Sequence, residues 1–339
     1  LIENANLVLL ATGGYGREEL APFSDIDIMF FAKDRRDAES AERMLYALWD
    51  CGLEISHAFR TADECIEEAF KDIRTRTSLL EARYIAGNTN LYNTFKTDVY
   101  PLIAHKKKKA FIREKLTELE QRYLRAGDSV FLLEPHIKEG EGSLRDVHTL
   151  YWLSKVVFKV EKFSELSSLL GEYDYKRLLK SYDFLLQMRY CLHLDSGRRN
   201  DILSFEYQKN IARCLGFTDS KKFSGAERMM RYYYLKSKVI KNLTRRISVM
   251  CSSQYASVFR NLSIKKITDE FSVSAGKLIA TRQNLLATNT DKVMEVFYLS
   301  SKTGRDFSDV LKESIKAHLL RINKRRETPQ RPFIIFRNI

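Results

Sequence analysis

Two acids set two residues apart, Asp25 and Asp27, follow the glycine pair Gly13-Gly14 with ten residues between. Side chains alternate across a strand, so acids at i and i+2 share a face, roughly 7 Å apart. Left unpaired, they would repel and one would take up a proton. Divalent cations resolve that conflict. Mg²⁺ is typically held by one or two carboxylates together with substrate phosphates. Two such ions about 3.5–4 Å apart can clamp the attacking and leaving oxygens of an in-line displacement. The chemistry to which these residues point is nucleotidyl transfer from a triphosphate.

Particular elements must hold these groups. Leu7-Val8-Leu9-Leu10-Ala11 reads as a strand that Gly13-Gly14 ends. Tyr15 to Leu20 is then expected to open a short helix whose amides face a phosphate. Glycine lets the backbone approach such a ligand closely. Asp25-Ile26-Asp27-Ile28-Met29-Phe30-Phe31 reads as a largely buried strand, with Ile26 and Ile28 opposite the acids. Arg17 is placed to reach a phosphate oxygen. After a helix over Ala38 to Cys51, Leu53-Glu54-Ile55 alternates apolar, acid, apolar, which makes Glu54 a third candidate acid. A lone Gly-Gly is an ordinary turn, and a lone Asp-Ile-Asp an ordinary solvated strand end. It is their strand–turn–strand order and spacing that read as a site. His57 is expected to be a structural neighbour rather than a metal ligand.

The string GGYGREELAPFSDIDIMFF resembles the signature of the DNA polymerase β-like nucleotidyltransferase superfamily, and more closely its PII uridylyltransferase / uridylyl-removing branch of bacterial nitrogen control. The resemblance continues through Trp49 to Thr61, Ser78 to Arg83 with Gly87, and Glu134 to Asp146. Weaker landmarks follow at Phe205 to Gln208, Leu215-Gly216 and Met230 to Tyr233. It implies that Asp25 and Asp27 bind Mg²⁺, in two ions, with Glu54 as the third carboxylate. It implies that Gly13 and Gly14 hold the triphosphate of UTP, within a nucleotide-contacting set of Gly13, Gly14, Arg17, Ser24, Lys138 and Arg145. The implied reaction moves UMP onto a tyrosine of the signal protein PII and releases pyrophosphate. Two departures stand out. Glu18 replaces a family glycine, setting an acid near incoming phosphates unless it faces solvent or pairs with a base. Ser143 replaces another, and with Asp146 it fits an N-cap and its third-position acid. The family's hydrolase needs a His-Asp doublet, and none of the six histidines precedes an Asp, so the removing activity is not expected of this segment.

Length and composition bound the rest. The 339 residues predict roughly two domains. The expected fold is α+β: a small mixed-sheet nucleotidyltransferase core over 1–61 with helices to about 126 packed on it, then a helical domain over 127–325. Residues 326–339 are expected to begin a linker, with Thr328 to Pro332 its best candidate. The missing initial Met and the apolar end suggest a fragment of a longer protein. No apolar run is long enough to cross a bilayer. Five scattered cysteines form no zinc spacing, and reduced thiols in a cytoplasm are the simplest reading. The net charge is +13, and Ala104 to Ala126 carries eight Lys or Arg against three Glu. That charge suits phosphates or an acidic partner, although solvated helix faces are the simpler reading and nucleic acid is not an expected partner.

Further along, Leu79 to Ile85 shows helical spacing. Lys138 to Gly142 reads as a glycine-bearing loop opening a helix over Leu144 to Phe158. There Lys138 and Arg145 either contact nucleotide or form loop salt bridges. Tyr151 to Ile247 is helical, with Tyr232-Tyr233-Tyr234 serving packing. Phe259 to Leu278 is expected to hold a short irregular or hairpin segment, and helices to resume over Asp291 to Ile322.

Overall fold

The computed structural model describes residues 6–126, 130–254, 265–274, 277–282, 285–288, 291–308, 311–312 and 314–315. Two compact units divide the chain, Leu1–Cys251 and Ser252–Ile339. The core expected over 1–61 and the helices to 126 share the first unit with the helical segment up to Cys251. The expected linker over 326–339 lies outside the described residues.

The first unit begins with β1 (Leu7–Ala11), a one-turn helix α1 (Gly13–Gly16), β2 (Ile26–Ala32), α2 (Ala38–Asp50) and β3 (Ile55–Arg60). Helices α3 (Ala62–Lys71) and α4 (Ile73–Leu80) precede β4 (Arg83–Gly87). The sheet order is β3-β2-β1-β4, with β1 antiparallel to β2 and β4, and β2 parallel to β3. The helical spacing over Leu79 to Ile85 thus misleads. The helix stops at Leu80 and Arg83–Gly87 pairs with β1, so the sheet takes its fourth strand from beyond residue 61.

The strands are apolar on both faces because both are covered. On one face Leu7, Leu9, Ile28 and Phe30 meet Ala41 and Leu45 of α2, one helical turn apart. On the other, Val8 pairs with Phe31 and Leu10 with Met29, and Phe31 meets Phe95 at 5.2 Å. Asp27 lies on this second face by alternation. Helix α3 starts on a capping box: Thr61 Oγ1 accepts from Glu64 N–H, and Glu64 Oε2 accepts from Thr61 N–H at 3.0 Å.

Helices α5 (Thr89–Thr94), α6 (Tyr100–His105) and α7 (Lys108–Arg125) follow, with a π-turn over Phe95–Val99. Then come α8 (Leu144–Phe158), α9 (Leu166–Leu170), α10 (Glu172–Ser196), α11 (Phe205–Cys214) and α12 (Gly225–Gln254). Tyr233 is buried, and Tyr232 packs edge-on against Phe184 at 4.9 Å, so the tyrosine cluster serves packing. Cys191 of α10 and Cys214 of α11 form a disulfide, which corrects the expectation of five reduced thiols; Cys51, Cys65 and Cys251 are free. The two cysteines are 23 residues apart, and only the packing of α10 on α11 brings them together.

In the second unit, β5 (Lys265–Lys266), β6 (Phe271–Ser274) and β7 (Lys277–Ala280) form an antiparallel sheet, the hairpin rather than the irregular form of the segment expected there. Residues 259–264 and 275–276 of that expectation lie outside the described residues. Helices α13 (Leu285–Thr288) and α14 (Asp291–Thr303) pack on it through Leu286, Val293 and Val296. No described helix is long and apolar enough to cross a membrane.

Candidate active site

Gly13, Gly14, Arg17, Ser24, Asp25, Asp27, Lys138 and Arg145 all line one cavity of about 810 Å³ in the first unit. Asp25 stands one residue before β2, and Asp27 is opposite Ser56 of β3. Asp25 Oδ1 accepts from Arg199 Nη1 at 3.0 Å, and Oδ2 from Ser56 Oγ at 3.4 Å. Asp27 is half-buried against Gly13, whose φ of +54° lies in the left-handed region. A Cβ at Gly13 would overlap Asp27 Oδ2 and stand 3.1 Å from its Cγ. The glycine therefore makes room for the carboxylate, as well as for any ligand. Burial, and then Asp25, raise the Asp27 pKa, while Arg17, Lys138 and Arg199 pull it down.

The turn after Gly13 differs from expectation. The helix spans Gly13–Gly16 rather than Tyr15 to Leu20. It is sealed by Gly16, where a Cβ would lie 3.0 Å from Ala11 O. Arg17 is not free to serve a phosphate alone, because its guanidinium binds Glu19 at 2.7 Å and Glu81 at 2.6 Å. Behind it lies a buried network. Glu81 also accepts from Trp152 Nε1 at 2.5 Å. Glu19 accepts from Tyr182 Oη, and it meets His148 Nε2 at 3.0 Å. Burial, then Arg17, push the His148 imidazole down to about 3, so it is neutral and donates its Nε2 proton. Burial works to raise the Glu19 carboxyl, but His148 and Arg17 outweigh it and hold it at about 2. This network ties α1 to α4, α8 and α10. Of its members, sequence reasoning singled out Arg17 alone; Glu81 stood inside the Ser78 to Arg83 string but drew no role.

Glu18 lies outside the cavity. It has φ +63°, the conformation that explains why glycine suits this place. Its side chain is 72% exposed and lies 3.5 Å from Arg83 Nε, so it both faces solvent and meets a base.

The 138–142 loop delivers the cations unequally. Arg145 is committed to Glu139 through two bonds, at 3.1 and 2.9 Å. The Lys138 ammonium makes no ion pair among the described residues, and burial, then Arg189, lower its pKa. Ser143 does not cap with its side chain; its hydroxyl donates to Lys138 O at 2.7 Å. Asp146 instead binds back to Gly142 N–H at 2.8 Å, Tyr123 Oη at 2.6 Å and Arg122. Arg122 and Lys115 of α7 are buried in these contacts and in the Glu118 pair, so part of the basic run faces inward rather than into solvent. Two cations near the acids had no signal in the sequence. Arg199 reaches Asp25, and Arg189 bridges Ser24 at 3.3 Å to Asp201 at 2.6 Å.

The acidic pair suits a divalent cation. Two carboxylates face one cavity, and burial with mutual repulsion holds one of them above its ordinary pKa. Among the described residues no three His, Cys, Asp or Glu side chains come together as a metal cluster. Glu54 accepts Ile26 N–H through its carbonyl at 2.9 Å, but its side chain is exposed and outside the cavity wall. The donor set on hand is thus a pair, and a pair of carboxylates is a set that a cation such as Mg²⁺ typically takes together with phosphate oxygens. His57 packs against Trp49 at 5.6 Å, away from the acids.

Residues 110–248, spanning most of α7 through α12, match the family model described as GlnD PII-uridylyltransferase. The chain is 35% identical over 347 residues to a bifunctional uridylyltransferase/uridylyl-removing enzyme of Bradyrhizobium sp. (strain ORS 278), covering 96% of this chain and 37% of the relative. Similar enzymes from Erythrobacter litoralis (34% over 310 residues; 88% of this chain, 34% of the relative) and Azospirillum brasilense (38% over 242 residues; 70% and 26%) also match. The chain spans about a third of the length of these curated relatives.

Proposed function

From the premise that this chain carries the GlnD PII-uridylyltransferase domain, we propose that it transfers UMP from UTP to a tyrosine hydroxyl of the PII signal protein and releases pyrophosphate. The observation that carries this reading is the meeting of Asp25, Asp27 and Gly13 at one wall of a cavity that also takes Lys138, which has no ion pair among the described residues. About 810 Å³ is within the range of small-ligand sites, large enough for a nucleoside triphosphate.

The residues divide the work. Asp25 and Asp27 would hold Mg²⁺, which would neutralise phosphate charge and lower the pKa of the attacking hydroxyl. Gly13 leaves the space that lets Asp27 turn into the cavity. Lys138 supplies a point charge toward the phosphates, and the Arg17 network fixes the floor beneath the glycine turn. The hydroxyl oxygen bonds to the α-phosphorus, the bond to the β-phosphate breaks, and the hydroxyl proton leaves to solvent. Most of the rate then comes from positioning and charge stabilisation. A cytoplasmic location belongs to the same proposal.

The test is labelling of purified PII with α-labelled UTP or ATP and Mg²⁺, by the wild type and by the Asp25→Asn/Asp27→Asn double variant. Labelling from UTP that disappears in the double variant supports the proposal. Labelling from ATP alone moves it to another nucleotide. Tight nucleotide binding with no transfer makes the domain a sensor.

A further inference from the structure

We infer that Arg199 is an exchangeable counter-ion for the acidic pair: it neutralises Asp25 while no divalent cation is bound, and cation binding releases it toward the phosphates of the nucleotide. This rests on reading Asp25 and Asp27 as a cation site.

The backbone that carries Arg199 is anchored, and its side chain is not. Helix α10 ends at Gly197, in the left-handed conformation with φ +62°. Two residues beyond Arg199, Asp201 is gripped by Arg189 at 2.6 Å and His193 at 3.3 Å, and its carbonyl accepts from Ile137 N–H at 2.8 Å. The Arg199 side chain is 52% exposed, and its one ion pair among the described residues is with Asp25. Asp27 has no direct cationic partner among the described residues and feels Arg17, Lys138 and Arg199 only at a distance.

A divalent ion at the acidic pair would compete with Arg199 for the Asp25 carboxylate. Exposed ion pairs are weak, so the exchange costs the cation only a few-fold in affinity. Once released, Arg199 and Lys138 both stand on the cavity wall without carboxylate partners, which suits a phosphate chain. Arginine is also the better fit for planar, forked recognition of phosphate. Cation and nucleotide binding are therefore positively coupled through this side chain, and the coupling is reciprocal.

The experiment titrates Mn²⁺, detected by its magnetic resonance signal, into the full chain with and without a nonhydrolysable UTP analogue. It compares the wild type with Arg199→Gln, Arg199→Lys and Asp25→Asn. Without nucleotide, Arg199→Gln should bind Mn²⁺ about two- to fivefold more tightly than the wild type. With Mn²⁺ present, it should bind the analogue about tenfold more weakly, from loss of a charge-assisted contact. Arg199→Lys, which keeps the charge, should fall between the two. Unchanged or weakened Mn²⁺ binding by Arg199→Gln with an unaltered melting temperature overturns the inference about Arg199 and leaves the cation site standing if Asp25→Asn abolishes binding. Mn²⁺ binding absent from the wild type, or unaffected by Asp25→Asn, removes the cation site and this inference with it.

Discussion

The two glycines of the turn should not be equivalent, and the difference can be worked out from their surroundings. At Gly13 an added methyl would overlap Asp27 Oδ2 and sit 3.1 Å from Cγ, in a residue with φ +54°. At Gly14 it would meet only Leu20 Cδ2 at 3.7 Å and Arg17 Nη2 at 3.9 Å, both ordinary contacts. Gly13→Ala carries a left-handed penalty of about 1–2 kcal/mol. The rest of the clash is relieved by rotating Asp27 away, a displacement of about 1 Å or more. Misplacing a catalytic group by that much can cost about 100-fold in rate. Gly13→Ala should therefore stay folded, with its midpoint in urea shifted by the equivalent of about 1–2 kcal/mol, and lose roughly 100-fold in kcat for PII labelling. Gly14→Ala should keep stability within about 0.5 kcal/mol and lose far less rate. Steady-state labelling combined with urea unfolding of both variants decides the matter. Gly13→Ala activity within threefold of wild type, or equal losses in the two variants, would refute the idea that Gly13 makes room for Asp27.

Glu18→Gly should leave the UTP affinity within about twofold, because the side chain points away from the cavity. It should also be neutral or up to about 1 kcal/mol more stable, as relief of the left-handed strain outweighs the lost Arg83 contact and the added chain entropy; isothermal titration and urea unfolding check both. Asp146→Asn leaves the buried Arg122 guanidinium short of its partner and should cost about 3–5 kcal/mol in urea unfolding, while a paired Asp146→Leu/Arg122→Met change should recover only part of it, because Gly142 N–H and Tyr123 Oη then lose their acceptor. The neutral, buried His148 gives a pH signature. Its pKa is about 3 in the fold against an ordinary 6.5, so between these values the unfolded chain takes up a proton that the fold refuses. Stability is full above pH 6.5 and declines as pH falls, with a slope of up to about 1.4 kcal/mol per pH unit. Urea unfolding between pH 6.5 and 4.5 should show a shallower slope in His148→Gln, and an identical slope would refute the assignment.

The parts of the site legible in the sequence are those whose neighbours are set by local geometry. Strand alternation alone puts Asp25 and Asp27 on one face, and an apolar run ended by glycines sets the turn beside them. The Leu144–Phe158 helix matches its expected limits because a glycine loop and a polar N-terminus frame it within a few residues. Arg199 is different. It lies 174 residues from Asp25, and its position follows from where a long helix ends and how Asp201 is clamped, neither of which leaves a periodic trace. The same holds for Arg17. Its charge beside a glycine turn suggests phosphate, and only the arrival of Glu81 from α4 and the nearness of Glu19 show that it is engaged.

Strand β4 failed for a related reason. Arg83–Gly87 is an edge strand with every residue half-buried, so it offers neither the continuous apolar run of β1 nor a clean alternation. It follows directly on Leu79 and Leu80, whose burial continues the pattern of α4. The helix ends at Leu80 with Glu81 as its C-cap, and the Glu81 side chain turns inward to Arg17 and Trp152. One buried acid thus stands where helix gives way to strand and also anchors the floor beneath the glycine turn. A sequence reading that assigns elements by local period and sites by local charge divides this residue between two questions and answers neither. In the fold, the boundary and the anchor depend on one another.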